Sequence, residues 1–300
     1  MRKLYKYTNF INLDFLKKPT IRISVPSHLN DPFESKLSSN LRDFISKECR
    51  ETYGESFFWA FEITQNREIE QYGIVSLSET SRNLLMWAHY ADEHNGACIG
   101  IDDDFFSSLT EISPSKRAGI FKPKKVDYDN KRFDEINHDY RGHEKIFQLL
   151  SKKSDEWIYE KEHRAIIPLE WCDGIYISDR NDKDAIGTIE LVKNMFQANL
   201  EVMNNIIMNR QVKDDKLILK ELHDDAIRLL SEHKSLVFIK YINPKKINSL
   251  YLGCRFDDKE ALNIVTDISD KNHPLNHINI YKYKLDDERF ELKEQLLYSP

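Results

Sequence analysis

The sequence has little cysteine and no long apolar stretch, and both absences restrict what the protein can be. Its 300 residues include four cysteines, none of them in a CxxC pair. This argues against a zinc knuckle or a disulfide scaffold and predicts reduced thiols. No apolar run approaches the roughly 20 residues that a membrane-spanning helix needs, and the first residues do not resemble a secretion signal. We therefore expect a soluble protein in the cytoplasm.

The chain also lacks the short motifs of common nucleotide and metal sites. It contains no GxGxxG or GxxxxGK[ST] loop, which argues against a Rossmann or P-loop phosphate site. It has no HExxH, no EF-hand pattern and no clustered histidine or cysteine ligands, so we expect no metal. Lysine and arginine total 44 against 50 acidic residues, a formal net charge of -6. A net negative charge does not attract nucleic acid or anionic lipid over the protein as a whole. We therefore expect no membrane partner.

Alternating and helical apolar patterns are mixed along the chain, which predicts an α+β protein. The main strand patterns lie at 4–7, 20–25, 73–77, 97–102, 236–241, 247–252 and 278–285. Helical patterns lie between them, at 9–16, 41–72, 82–95, 133–156, 186–210, 216–233 and 258–269. We expect one elaborated domain over residues 1–300, built on a mainly antiparallel or mixed sheet. Residues 186–234 would form a helical insertion or lid within it, and a left-handed Gly96 would end the helix over 82–95.

The segment Trp157–Ile167, WIYEKEHRAII, places three charged side chains two residues apart just before an apolar β-type run. Because side chains alternate across a strand, we expect Glu160, Glu162 and Arg164 to share one face. Two carboxylates beside a guanidinium can hold a ribose hydroxyl and stabilise an oxocarbenium-like centre at a sugar carbon. The alternative is a solvated strand edge whose charges discourage aggregation.

Five motifs occur in order along the chain. They are LYKYTN at Leu4–Asn9, LNDPFE at Leu29–Glu34, SLSE at Ser76–Glu79, MWAHYADEHNG at Met86–Gly96 and WIYEKEHR at Trp157–Arg164. Together they resemble a bacterial family known as domain of unknown function 2971. The resemblance extends to LYLGCR at Leu250–Arg255, and it departs from the family pattern at His163, where tryptophan is expected.

The order of the motifs also resembles the three-part signature of ADP-ribosyltransferases. That signature has an aromatic or basic residue on a first strand, a serine at the end of a second strand, and an E-x-E that enters a later strand. The resemblance implies an ADP-ribosyltransferase-like split sheet. It also implies an enzyme whose substrate is nicotinamide adenine dinucleotide (NAD), which it cleaves at the nicotinamide glycosidic bond.

On this resemblance, residues of the chain take the roles of the signature. Glu162, the second acid of E-x-E, would be the catalytic residue that bonds the nicotinamide ribose. Glu160 would position or activate the acceptor. The side chains that grip the dinucleotide or shape its pocket would be Tyr5 or Tyr7 and Ser76 or Ser78.

Three further residues are candidates for contact with the dinucleotide. Arg164 would screen the repulsion between the two glutamates and keep Glu162 ionised. His89 lies one position off the apolar stripe of its helix, although a single histidine is more often structural. Asn30 lies in LNDPFE, where it could bind a ligand or cap a turn, and Asn-Asp-Pro chemistry favours the turn.

Three functions are open at this point. The first is an enzyme that passes ADP-ribose from NAD to water or to a macromolecular acceptor, protein or nucleic acid, as a toxin or phage-defence effector does. Such a protein would act as a homo-oligomer or with a partner protein of a defence system. The second is a metal-dependent nuclease that uses Glu160, Lys161 and Glu162. The third is a non-enzymatic module that senses a nucleotide or a phage component.

Overall fold

A large mixed sheet and a smaller antiparallel sheet form the framework of the protein. The computed structural model describes residues 2–9, 13–34, 36–54, 69–106, 118–132, 143–196, 200–203, 206–209, 211–213, 216–218 and 224–300. Helices accompany both sheets, so the predicted α+β class is confirmed.

The large sheet combines strands from both ends of the chain. In spatial order these are β17 (Leu292–Tyr298), β16 (Asn279–Leu285), β15 (Ile247–Leu252), β4 (Ala97–Asp102), β1 (Lys3–Thr8), β3 (Tyr72–Ser78), β8 (Glu162–Pro168) and β5 (Ile120–Lys125). All neighbouring strands are antiparallel except β15 and β16, which run parallel. The sheet is therefore mixed, as predicted.

The smaller sheet has five antiparallel strands. Their order is β10 (Leu200–Met203), β11 (Ile206–Asn209), β9 (Gly174–Ile177), β14 (Leu236–Tyr241) and β2 (Thr20–Ile23). Two short pairs accompany it, β6 (Asp127–Tyr128) with β7 (Lys152–Lys153) and β12 (Gln211–Lys213) with β13 (Lys216–Ile218). Immediately after β2, Ser24 forms an isolated bridge to Ile74 of β3, which joins the two sheets.

Seven α-helices occur in the described ranges. They are α1 (Leu13–Lys17), α2 (Ser39–Tyr53), α3 (Leu84–Tyr90), α4 (His143–Leu150), α5 (Lys183–Phe196), α6 (Asp224–Ser231) and α7 (Asp258–Ile268). The starts of α2, α3 and α7 are capped by Ser38, Asn83 and Asp257. Each of these side chains accepts a hydrogen bond from a backbone amide in the first turn of its helix. Across the described ranges, every helix is too short or too polar to cross a bilayer.

The two faces of the large sheet bury different kinds of side chain. One face packs Leu4, Leu77 and Ile99 into the main hydrophobic core. The opposite face carries an aliphatic cluster around Ile74 and Ile166 and an aromatic cluster around Trp87 and Tyr251. Between these two clusters, β3 and β8 present a stretch of polar and charged residues. They are Ser76, Ser78, Glu162 and Arg164.

The helix predicted over 82–95 is shorter and ends differently. α3 stops at Tyr90, and positive φ angles of 47°, 48° and 74° occur at Asp92, Glu93 and His94 rather than at Gly96. Position 96 instead needs glycine because there is no room for a side chain. A Cβ there would lie 2.3 Å from the Thr8 carbonyl oxygen. The prediction of a left-handed Gly96 was therefore wrong.

The helical prediction for residues 186–233 is correct only in part. α5 ends at Phe196, and the antiparallel pair β10–β11 adds to the smaller sheet through β9. β12 and β13 form a further antiparallel pair, and the next helix within the described ranges is α6. β-Branched residues in this segment favour strand pairing over the helix that apolar spacing alone suggested.

Two other helical predictions lie partly outside the described residues. The helical pattern over 133–156 contains α4, and residues 133–142 are not described. The pattern over 41–72, in which a break near Gly54 is expected, contains α2, which ends just before Gly54 with a φ of 81° at that glycine, and residues 55–68 are not described. The sequence reading missed β5 and β17, the two edge strands of the large sheet.

Gly73 allows β3 to pack closely on β2. A Cβ at this position would lie 2.1 Å from Ile23 Cγ2 and 2.7 Å from Leu169 Cδ2. We expect Gly73→Ala to lower the free energy of unfolding by about 1–3 kcal/mol, because the added methyl displaces both side chains. Gly187→Ala is the matched control, since nothing lies within 4 Å of its Cβ and alanine favours α5 by up to about 1 kcal/mol. Urea unfolding measures both, and equal effects would contradict the packing argument.

A buried ion-pair cluster as the candidate functional site

The E-x-E segment does not lie on one strand, which corrects the predicted geometry. Glu160 ends a 3-10 helix over Asp155–Glu160, and Lys161 follows with left-handed φ and ψ of 47° and 49°. β8 begins only at Glu162, so Glu162 and Arg164 share a strand face as predicted. Glu160 reaches the same place from the preceding turn rather than by strand alternation.

Five charged side chains converge on this face of β8, and we call them the ion-pair cluster. Each is only 1–5% exposed at its side chain. The members are Glu34, Lys153, Glu160, Glu162 and Arg164. The alternative of a solvated strand edge is therefore wrong for the two glutamates, because both carboxylates are buried.

Arg164 joins three parts of the chain. Its Nε and Nη2 donate to the two carboxylate oxygens of Glu162 at 2.8 and 2.9 Å, a bidentate pair. Nη2 also contacts Glu34 Oε1, and Nη1 donates to the Leu150 carbonyl at 2.7 Å. The guanidinium thus connects β8 with the LNDPFE turn and with the end of α4.

Lys153 lies among the three carboxylates of the cluster. Its Nζ is 2.6 Å from Glu160 Oε2, 3.5 Å from Glu162 Oε2 and 3.6 Å from Glu34 Oε1. The same ammonium lies 4.6 Å from the centre of the Trp157 ring. One cation therefore brings together acids from the LNDPFE turn, the 3-10 helix and β8.

These pairs determine the charge states of the cluster. Burial opposes ionisation of Glu162, but Arg164 and Lys153 outweigh it and lower its pKa to about 2. Burial likewise opposes the charge on Lys153, but the three carboxylates outweigh it and raise its pKa. Burial raises the pKa of Glu34 despite Arg164 and Lys153. Glu162 is therefore ionised at neutral pH.

Neutral side chains next to the ion-pair cluster form hydrogen bonds with its members. The Tyr90 hydroxyl donates to Glu160 Oε1 at 2.5 Å, and Asn30 Nδ2 donates to the Tyr90 hydroxyl at 3.2 Å. Burial and the Glu160 charge raise the pKa of Tyr90, so it remains a donor. The backbone amide of Glu162 donates to the Tyr128 hydroxyl at 2.8 Å. Asn30 thus acts on Glu160 through Tyr90.

The strand register aligns three of the predicted site residues. Tyr5 on β1 lies opposite Ser78 on β3, and Ser78 lies opposite Glu162 on β8. Ser78 also donates its hydroxyl to the Glu160 carbonyl at 2.7 Å. Ser76 lies opposite Arg164 on the same pair of strands. These residues form a continuous row across three adjacent strands.

The other predicted residues lie outside the cluster. Tyr7 donates its hydroxyl to the Thr80 carbonyl at 2.8 Å and packs edge-on against Trp87. His89 is exposed, and its ring centre is 6.3 Å from that of Tyr159. His163 occupies the opposite face of β8, where its Nε2 lies 2.8 Å from Glu79 Oε1. A partly buried polar pair thus stands where tryptophan was expected.

The pairing of β1 with β3 is limited to one register pair, Tyr5 with Ser78. Beside it, Lys6 Nζ donates to the Ser76 carbonyl at 3.0 Å, taking the place of a backbone donor from β1. Burial and Arg22 lower the pKa of Lys6 to about 8. The sheet therefore diverges next to the ion-pair cluster.

A cavity of about 270 Å³ borders the cluster, and Glu34 and Lys153 line it together with Phe33 and Leu149. Within the described ranges, no group of three or more histidine, cysteine or acidic side chains is arranged to hold a metal ion. The three carboxylates of the cluster instead surround the Lys153 ammonium.

The sequence reading missed residues that the site requires. Lys153 has no periodic relation to the E-x-E segment, so no sequence pattern predicts that it lies in the site. Tyr90 lies on the helix predicted over 82–95 and Glu34 in the motif LNDPFE, and neither was among the predicted site residues. Only the polar tip of Tyr90 and the charge of Glu34 beside Asn-Asp-Pro hinted at a further role.

Comparison with known proteins gives one family match. Residues 86–165 match the model of a family described as "Protein of unknown function (DUF2971)". The resemblance predicted from the motifs is confirmed over this segment, which contains every member of the ion-pair cluster except Glu34. No curated protein and no solved structure matches the chain.

Removing the charge of Glu162 should destabilise the fold. We expect Glu162→Gln to lower the free energy of unfolding by about 3 kcal/mol, because it leaves Arg164 buried with only Glu34 as a charged partner. Glu156→Gln is the matched control, since Glu156 lies in the same segment and is exposed. Chemical denaturation measures both variants. A Glu162→Gln protein as stable as the control would contradict the buried pairing.

The stabilisation from Glu162 should depend on pH. Its pKa is about 2 in the folded chain against an ordinary value of 4.5, so the unfolded chain binds more protons between these values. The stability difference between the wild type and Glu162→Gln should be full above pH 4.5 and shrink as the pH falls towards 2. Denaturation curves at several pH values test this, and a difference independent of pH would contradict it.

Proposed function

We propose that the protein is an enzyme of ADP-ribosyltransferase type that cleaves NAD and passes ADP-ribose to a macromolecule or to water. The observation that carries this proposal is the row formed by Tyr5, Ser78 and Glu162. These residues represent the three elements of the signature: an aromatic residue on a first strand, a serine at a strand end and the second acid of E-x-E. They come from distant parts of the chain and are direct cross-strand neighbours.

The divergence of β1 and β3 supports the same proposal. A split sheet gives a dinucleotide room to lie against strand ends, and here the two strands share only the Tyr5 and Ser78 pair. Lys6 at the opening brings a positive charge towards the place where the phosphates of a dinucleotide would pass.

The chemistry requires an anion more than an acid. When the bond between the ribose C1′ and the pyridinium nitrogen breaks, its electron pair goes to the nitrogen and nicotinamide leaves as a neutral molecule. Positive charge develops on the ribose, and a fixed carboxylate stabilises it. The ionised Glu162 would supply that charge and accept a hydrogen bond from a ribose hydroxyl.

The second step adds an oxygen nucleophile to C1′ and releases its proton. Glu160 would position the acceptor or take this proton. Its carboxylate is held by Tyr90 at one oxygen and Lys153 at the other. Because the cluster is buried, a bound substrate must replace part of these contacts with its own hydroxyl groups.

Two alternatives remain for the same site. A metal-dependent nuclease needs a divalent cation among the carboxylates, where Lys153 now lies. A sensor module needs only recognition, and the complete pairing of Glu160 and Glu162 by neighbouring groups favours this alternative over the nuclease. The ADP-ribosyl transfer hypothesis places the protein in the cytoplasm as a toxin or phage-defence effector, alone or with a partner.

The decisive experiment incubates the purified protein with NAD and a cell lysate and measures nicotinamide release and ADP-ribose transfer. We expect turnover that chelators do not abolish, and a loss of about 100-fold or more in Glu162→Gln because the fixed charge at the ribose is gone. Glu160→Gln should reduce transfer to the acceptor.

Glu156→Gln serves as the control and should keep full activity, and circular dichroism confirms that each variant is folded. An absence of both release and transfer in the wild type would refute the proposal. Metal-dependent cleavage of nucleic acid would establish the nuclease instead, and saturable NAD binding without turnover would establish the sensor.

A further inference from the structure

A second cavity of about 270 Å³ contains two cations, and we call it the cation pocket. Its wall consists of Thr80, Arg82, Asn83, Lys161, Glu291 and Leu292. The side chains of Arg82 and Lys161 are both exposed. In the part of the chain that the structure describes, neither the Arg82 guanidinium nor the Lys161 ammonium forms a hydrogen bond or an ion pair. Two accessible cations in one pocket are therefore available to a ligand.

The backbone conformation of Lys161 indicates a role for its side chain. Its φ and ψ of 47° and 49° are left-handed, a conformation that glycine adopts freely and other residues adopt at a cost. Among the described residues, no hydrogen bond or ion pair of the Lys161 side chain offsets this cost. Glycine would therefore suit the turn better, and a lysine that the fold does not need suggests a function at this position.

Hydrogen bonds hold the two segments that carry the cations together. The backbone amide of Glu79 donates to the Lys161 carbonyl at 3.1 Å. The side-chain amide of Asn83 donates to the Tyr159 carbonyl at 2.6 Å. The loop before α3 is thus fixed against the turn before β8. The backbone positions of Arg82 and Lys161 are therefore set before a ligand binds, which lowers the entropic cost of binding.

The other polar groups of the cation pocket suit an anion. Thr80 Oγ1 accepts a hydrogen bond from the Arg82 backbone amide at 3.2 Å, so the Thr80 hydroxyl can still donate its own hydrogen to a ligand. Glu291 is the acid of the wall, and Arg289 Nη1 lies 3.7 Å from its Oε1. Two cations against one partly neutralised carboxylate leave a formal positive charge. Guanidinium and ammonium groups are the usual protein partners of phosphate oxygens.

We propose that the cation pocket binds a diphosphate, with Arg82 and Lys161 as its cations and the Thr80 hydroxyl as a neutral donor. Free pyrophosphate and the diphosphate of a nucleotide share this chemistry. The volume of about 270 Å³ lies just below the roughly 300–1,000 Å³ of sites for drug-sized ligands, so the rest of a nucleotide would lie outside the pocket. This binding does not depend on the cleavage of NAD, because neither Glu160 nor Glu162 lines the pocket.

The test is a calorimetric titration of the full chain with pyrophosphate and with ADP-ribose. It is done at neutral pH without divalent metal, and at low ionic strength because salt screens exposed charges. We expect pyrophosphate to bind the wild type, and Arg82→Gln to weaken this binding about 10-fold or more, because charge-assisted hydrogen bonds are lost. Arg180→Gln is the matched control, since it removes the same charge at an exposed arginine outside the pocket, and it should bind like the wild type.

ADP-ribose identifies the source of the diphosphate. If ADP-ribose binds more tightly than pyrophosphate and shows the same loss in Arg82→Gln, the pocket takes the diphosphate of a nucleotide. If it binds more weakly, the pocket takes free pyrophosphate. Both results support a diphosphate site.

Lys161→Gly separates binding from folding. Glycine keeps the left-handed turn and removes the ammonium, so the midpoint of urea unfolding should not fall, whereas pyrophosphate binding should weaken about 10-fold. Glu291→Gln removes the negative charge of the wall and should strengthen binding several-fold. Glu288→Gln, at an exposed acid outside the pocket, is its control and should leave binding unchanged.

No binding of pyrophosphate at millimolar concentration would overturn the inference. So would an Arg82→Gln protein that binds like Arg180→Gln, or a Lys161→Gly protein that binds like the wild type. These results are separable from the enzymatic proposal. NAD turnover without pyrophosphate binding at Arg82 and Lys161 would leave only the enzyme, and pyrophosphate binding without turnover would leave only the pocket.

Discussion

The buried guanidinium of Arg164 is the constraint on which the site depends. Arginine does not lose its proton in a protein, so a side chain 1% exposed must have its donors satisfied by the fold. Glu162, Glu34 and the Leu150 carbonyl supply the acceptors, and each belongs to a different segment. The position of the LNDPFE turn and the end of α4 relative to β8 follows from this requirement.

Stability alone does not account for such a cluster. A buried ion pair is often no more stabilising than well-packed apolar side chains of similar volume. The same face of β3 and β8 buries the apolar pair Ile74 and Ile166 two residues further along. The sheet is thus able to fill this layer with aliphatic side chains, and the charges at Glu162 and Arg164 interrupt that layer at one place. This contrast favours a functional origin for the cluster.

The sequence predicted the parts of the site that depend on local periodicity. Strand alternation correctly placed Glu162 and Arg164 on one face. It failed at Glu160, whose approach depends on a left-handed Lys161, a conformation that lysine does not signal. Lys153 and Glu34 join the cluster only through long-range packing. The antiparallel pair β10–β11 was missed for a similar reason, since pairing with β9 overrides the helical spacing of its apolar residues.

Arg164 also holds two carboxylates of the cluster close together. A single atom, Nη2, contacts both Glu34 and Glu162, so the contacted oxygens lie within roughly 6 Å of each other, twice a donor–acceptor distance of about 2.9 Å. Lys153 faces both acids as well, so two cations share the charge of two buried carboxylates. A sugar bound at Glu162 would therefore meet a carboxylate that Arg164 and Lys153 keep ionised as positive charge develops on the sugar.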